Sequence, residues 1–149
     1  MLSQPLNNKK NNSIQSDCPF AVKPDQLECI VHKEWGHEEW IVNKPEYCGK
    51  KMVFKGGYQC SMHHHKIKDE TFYVQSGKII LETEYEGQAK MRIMTPGDTA
   101  HMIPNMWHRI TALVDSEVFE FSTFHMEDDS YRRTQSGLAD LKAMGFTEQ

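Results

Sequence analysis

The chain has 149 residues, a formal net charge of −4, 38% hydrophobic residues and 26% charged residues. That length suits one domain with enough chain to bury a real core. The acidic balance excludes broad nucleic-acid binding, which needs a basic face, and no run of apolar residues is long enough to span a bilayer. The first residues, MLSQPLNNKKNN, lack the apolar core of a secretion signal, so a cytoplasmic protein is expected. Asn, Lys, Ser and Gln dominate 1–17, which is expected to be disordered or loosely attached, with a single domain over 18–149. Cys18, Cys29, Cys48 and Cys60 match neither a CxxC pair nor a zinc ribbon, and are read as structural thiols.

From Leu27 onward, β-branched and aromatic runs alternate with turn residues. Strands are expected over 27–32, 38–42 and 47–55, and Gly56-Gly57 then turns the chain. His63 and His65 sit two apart, so on a strand they share one face, while His64 and the odd-parity Cys60 point to the other. Lys66-Ile67-Lys68-Asp69 reads as a hairpin loop, and Glu70 opens the β-prone run Glu70-Thr71-Phe72-Tyr73-Val74. Such a hairpin brings one carboxylate beside two imidazoles, a donor set suited to a divalent transition metal. Further strands are expected over 78–85, 89–94, 99–103, 107–113 and 117–124, separated by Gly, Pro and Asn turns. Ser136 is placed to cap a short helix over 138–144, which Gly145 would stop. Short strands at this spacing indicate a closed or double-sheet antiparallel architecture.

The intervals from Gly57 through His63, His65 and Glu70 to Gly77 match every fixed position of the first cupin motif, G(X)5HXH(X)3–4E(X)6G. The stretch from Gly97 to Ala112 resembles the second motif, with Gly97 and His108 in place. Ile103, Asn105 and Ala112 stand where that motif has Pro, Gly and Asn; Asn is the best substitute for Gly in a left-handed turn. The resemblance implies an all-β double-stranded β-helix (a jelly-roll barrel). It also implies His108 as a fourth ligand beside His63, His65 and Glu70, holding one divalent ion: zinc, manganese, iron, cobalt or nickel.

Trp35-Gly36-His37-Glu38-Glu39-Trp40, the basic stretch 50–57, and the segments 103–109 and 120–132 are similar to type II mannose-6-phosphate isomerase domains. That resemblance covers roughly 31–133 and implies a sugar or sugar-phosphate isomerase or epimerase working by metal-polarised enediolate chemistry. An iron- or copper-dependent dioxygenase and a non-catalytic sugar-binding protein are the alternatives. Spacing leaves the catalytic base open among Glu82, Glu84, His101, Glu120 and Lys51. A substrate phosphate has Lys51, Lys68, Arg109 and Arg132 as candidate partners, and Trp107 and Tyr73 are placed to stack on a sugar. The expected partners are a small-molecule substrate and a second copy in a homodimer, with neither nucleic acid nor membrane.

Overall fold

The computed structural model describes residues 29–146, so the expected N-terminal segment 1–17 lies outside the described residues. Its strands are β1 (Ile30–Lys33), β2 (Gly36–Lys44), β3 (Tyr47–Phe54), β4 (Tyr58–Gln59), β5 (His63–His64), β6 (Glu70–Ser76) and β7 (Ile79–Tyr85). They continue as β8 (Gln88–Met94), β9 (Thr99–Met102), β10 (Trp107–Ala112), β11 (Ser116–Ser122), β12 (Tyr131–Arg132) and β13 (Gly137–Leu138), with a 3-10 turn at Glu127–Asp129. One sheet runs β1-β2-β3-β11-β6-β9; the other runs β12-β5-β10-β4-β13, with β7 also on β10 and β8 on β7. This is the all-β, double-sheet jelly roll that the turn spacing predicts. No helix among the described residues is long and apolar enough to cross a membrane.

Period-two alternation turns every second side chain of the central strands inward. Those inward rows share one gradient: Lys50, Met52, Phe54 on β3; Glu70, Phe72, Val74 on β6; His108, Ile110, Ala112 on β10; and Glu120, Val118, Ser116 on β11. The pairing register keeps the layers level, with Glu120 opposite Lys50 and Phe72, and Val118 opposite Met52 and Val74. One end of the barrel is therefore closed by an apolar plug that includes Trp35, stacked on Phe54 at 4.1 Å, together with Ile79, Leu81 and Met94. The other end carries all the buried charge of these rows. The site lies where the two halves meet.

Three expectations are corrected. The segment 138–144 is not a helix beyond a single turn. Leu138 pairs with Tyr58 in β13 and Ala139 N–H donates to Gly57 O, so only the residues after it are free to coil. There Asp140, not Ser136, caps the turn through Ala143 N–H (2.9 Å). Nor do His63 and Glu70 belong to one hairpin: β5 and β6 lie in opposite sheets, and the 65–69 stretch crosses between them. Among the cysteines, Cys48 and Cys60 are free thiols, but Cys29 is disulfide-bonded. The Asn105 substitution behaves as anticipated, with φ at 68°, in the left-handed region that Asn tolerates.

Candidate metal centre

His63, His65, Glu70 and His108 converge, with one ligand atom from each lying within 4.8 Å of all the others. His63 and His108 are direct cross-strand partners on β5 and β10, which puts both rings on one face, 4.4 Å apart. His65 follows the end of β5, and Glu70 opens β6 on the facing sheet.

Each imidazole is oriented by its Nδ1. That atom lies 2.8 Å from Ser61 O in His63, 2.8 Å from Asp129 O in His65 and 2.9 Å from Met106 O in His108. A carbonyl only accepts, so Nδ1 carries the hydrogen in all three rings and Nε2 is left as a lone pair. Burial drives His63 well below its ordinary pKa and His65 down to about 4, so both are neutral near pH 7. Burial pushes the Glu70 carboxyl up, but the Lys68 ammonium, 2.9 Å away, outweighs it and holds the group well below the usual carboxylate range.

This set fits a divalent cation. Nε2 of His108 faces Oε1 of Glu70 at 2.7 Å, and neither atom has a hydrogen-bond partner although both are buried. Two electron-rich atoms that close, sealed from water, lack the positive centre that would reconcile them. Three imidazole nitrogens and one carboxylate oxygen suit a first-row transition metal.

Asp129 organises the support. Its carboxylate accepts the backbone N–H groups of Lys66, Ile67 and Lys68 at 2.9–3.2 Å, while its carbonyl holds His65. One buried residue thus holds 66–68 of the crossing between His65 and Glu70, and Thr123 holds Asp69. Beyond Glu70, Lys68 Nζ lies 2.8 Å from Glu120, and Lys50 links Glu120 (3.9 Å) to Glu38 (3.5 Å). Burial and neighbouring Glu70 raise the Glu120 pKa against the pull of Lys68 and Lys50. His63, His65 and His108 open on a cavity of about 590 Å³ with Phe72 and Ile110 on its floor.

Residues 50–123 match the Cupin_2 family, described as a cupin domain. This is a cupin domain. Its fold is similar to oxalate decarboxylase from Bacillus subtilis, with a TM-score of 0.65 at 18% identity, over 70% of this chain and 29% of that one. It is also similar to the capsular polysaccharide assembling protein CapF from Staphylococcus aureus (TM-score 0.62, 16% identity, 69% of this chain and 33% of that one). A third similar structure is KdgF from Halomonas sp. (TM-score 0.55, 25% identity, 62% of this chain and 81% of that one). The chain thus spans under a third of oxalate decarboxylase, and at such identities the first two likenesses concern fold alone. No curated protein matches the chain.

The cupin cavity takes in some of the residues singled out by sequence and leaves out others. Glu120, Lys68 and Arg132 line it. Glu82 and Arg109 do not; they form a two-bond pair with each other at 2.7 and 2.9 Å. His101, Lys51 and Glu84 lie outside the cavity lining: His101 pairs with Asp69 at 2.9 Å, Lys51 with Glu39 at 3.1 Å, and Glu84 at 2.7 Å with Arg133, which does line the cavity. Trp107 packs at a tilt against His64, ring centroids 4.3 Å apart, rather than lining the site. Cys60, expected to face away, lines the cavity, because 60–62 leave the strand and parity no longer applies. Lys50 and Asp129 were not anticipated. Lys50 alternates with Met52 and Phe54, so period-two reading of β3 points to it rather than to Lys51. Asp129 sits in an acidic run, Glu127-Asp128-Asp129, with nothing local to separate it from a solvated patch.

Proposed function

We propose that this cupin is a divalent-metal-dependent isomerase or epimerase acting on a sugar or sugar phosphate, akin to the type II mannose-6-phosphate isomerase domains it resembles. One observation carries the reading: a second buried carboxylate, Glu120, shares a cavity with the three ligating imidazoles. Moving a carbonyl along a carbon chain needs the carbonyl polarised and a base beside the neighbouring C–H. When bound, a divalent cation would supply the Lewis acid.

Glu120 is the base in this reading. Among Glu82, His101, Glu120 and Lys51 it alone lines the cavity. Its carboxylate takes the proton from the carbon beside the carbonyl and returns it to the former carbonyl carbon, while the hydroxyl proton on the first carbon's oxygen passes to the former carbonyl oxygen. Lys68, 2.8 Å from Oε2, fixes the carboxylate's position and offsets its charge. Phe72 and Ile110 keep the floor dry. The polar wall, carrying Glu38, Lys50 and Glu120, suits a polyhydroxylated substrate.

The test is solvent-deuterium incorporation beside the carbonyl, followed by NMR on metal-loaded protein with a panel of aldoses and their phosphates. The expected result is exchange with at least one sugar, reduced roughly 10²–10⁴-fold in Glu120→Gln at unchanged metal content. Iron-dependent oxygen uptake with no exchange on any sugar would overturn the reading in favour of a dioxygenase.

A further inference from the structure

The cavity's positive side chains are neutralised in place, with one exception. Lys50 and Lys68 share Glu38, Glu70 and Glu120, and Lys33 lies 3.9 Å from Glu38. Arg133 meets Glu84 at 2.7 Å and covers the Trp107 ring at 4.1 Å. Among the described residues lining the cavity, Arg132 is the cation with no ion pair, hydrogen bond or ring contact.

Its direction follows from the backbone. β12 pairs antiparallel with β5, and Arg132 stands opposite His63. Residues directly opposed in an antiparallel pair share a face, so Arg132 projects on the side of the ligand His63. Its neighbour Tyr131, opposite His64, stacks on that ring at 5.1 Å on the other side. The strand is held firmly: Arg133 N–H donates to Met62 O at 2.8 Å, and Met62 N–H donates to Thr134 Oγ1 at 2.8 Å. The root of Arg132 is therefore anchored while its guanidinium is unengaged.

We propose that Arg132 grips an anionic terminal group of the substrate, a phosphate or a carboxylate, while the other end of the molecule lies at the ligand cluster. A guanidinium offers a planar fork that meets either anion with two parallel hydrogen bonds. In a chain of net charge −4, it is also the uncompensated positive charge of the cavity wall. The inference rests on the sugar reading for the carbon skeleton, but not for the charge.

Calorimetric titration of the zinc-loaded full chain with glucose 6-phosphate, glucuronate and glucose tests it, since the three differ in their terminal group. The expected result is that one anionic sugar binds about tenfold or more tightly than glucose, its identity naming the group. Arg132→Ala removes that preference, and Arg132→Lys restores part of it. The Arg132 side chain has no partner to lose, so Arg132→Ala should unfold at the wild-type temperature. Equal affinities, no binding by either anionic sugar, or a preference surviving in Arg132→Ala overturns the proposal. Arg132-dependent binding without proton exchange would remove the isomerase reading and leave this one; exchange on neutral aldoses, insensitive to Arg132→Ala, would do the reverse.

Discussion

Nε2 of His108 and Oε1 of Glu70 face each other at 2.7 Å, both buried and both without a hydrogen-bond partner. A cation between them would relieve this contact, so binding is linked to folding. At a hundredfold excess over Kd, a ligand that binds only the folded chain adds about 2.7 kcal/mol. For a chain of this length that corresponds to a rise of roughly 5–10 °C in Tm. Thermal unfolding with and without zinc or manganese, and again after chelation, checks it; the gain should disappear in His108→Ala.

Asp129 should matter as much as a ligand. Its carboxylate satisfies three backbone N–H groups in the crossing that carries Lys68 and leads to Glu70. Asp129→Ala leaves those donors unpaired, the Lys68 N–H among them buried, at a cost of about 1–3 kcal/mol. Loss of such a supporting contact typically lowers metal affinity about 10–100-fold. Equilibrium denaturation together with competitive metal titration reads both effects, and Asp129→Asn should fall between.

Gly77 closes the first motif for a steric reason. Its φ is 85°, and a Cβ there would sit 2.4 Å from the Asp115 carbonyl oxygen and 2.2 Å from Ser116 Oγ. Gly77→Ala combines a left-handed backbone with a clash against main chain, and strain of this kind costs about 1–3 kcal/mol. Urea denaturation should show a lower midpoint at an unchanged slope.

The two free thiols among the described residues, Cys48 and Cys60, should be inert in the folded chain. Burial pushes Cys60 up to about 12, and burial also raises Cys48. A raised pKa lowers the thiolate fraction, which is the reactive form. At pH 8 neither should react with a thiolate-directed reagent until denaturant is added, whereupon both should react quickly.

The strands were legible because alternation, β-branched runs and Gly or Pro turns agree over 30–124, and the clustering of His63, His65, Glu70 and His108 because their intervals are fixed by the strands and the crossing that carry them. The supporting groups were not. Asp129 reaches the site from 61–63 residues away in sequence, and Lys68 joins Glu120 across 52, separations that carry no local signal. The helix expected at 138–144 failed for the same reason: Leu138 is claimed by Tyr58, a partner its neighbours in sequence do not disclose. Likewise, residue type alone could not separate Glu120 from Glu82; only the pairing of Glu82 with Arg109 outside the cavity does so.

The most direct test is elemental analysis of the chain after equilibrium dialysis against a divalent transition metal. Co-operation of His63, His65, Glu70 and His108 at one point predicts one metal per chain, lost on combining Glu70→Ala with His108→Ala. A folded wild-type chain that retains no metal, or a double variant that retains as much as wild type, would contradict the account.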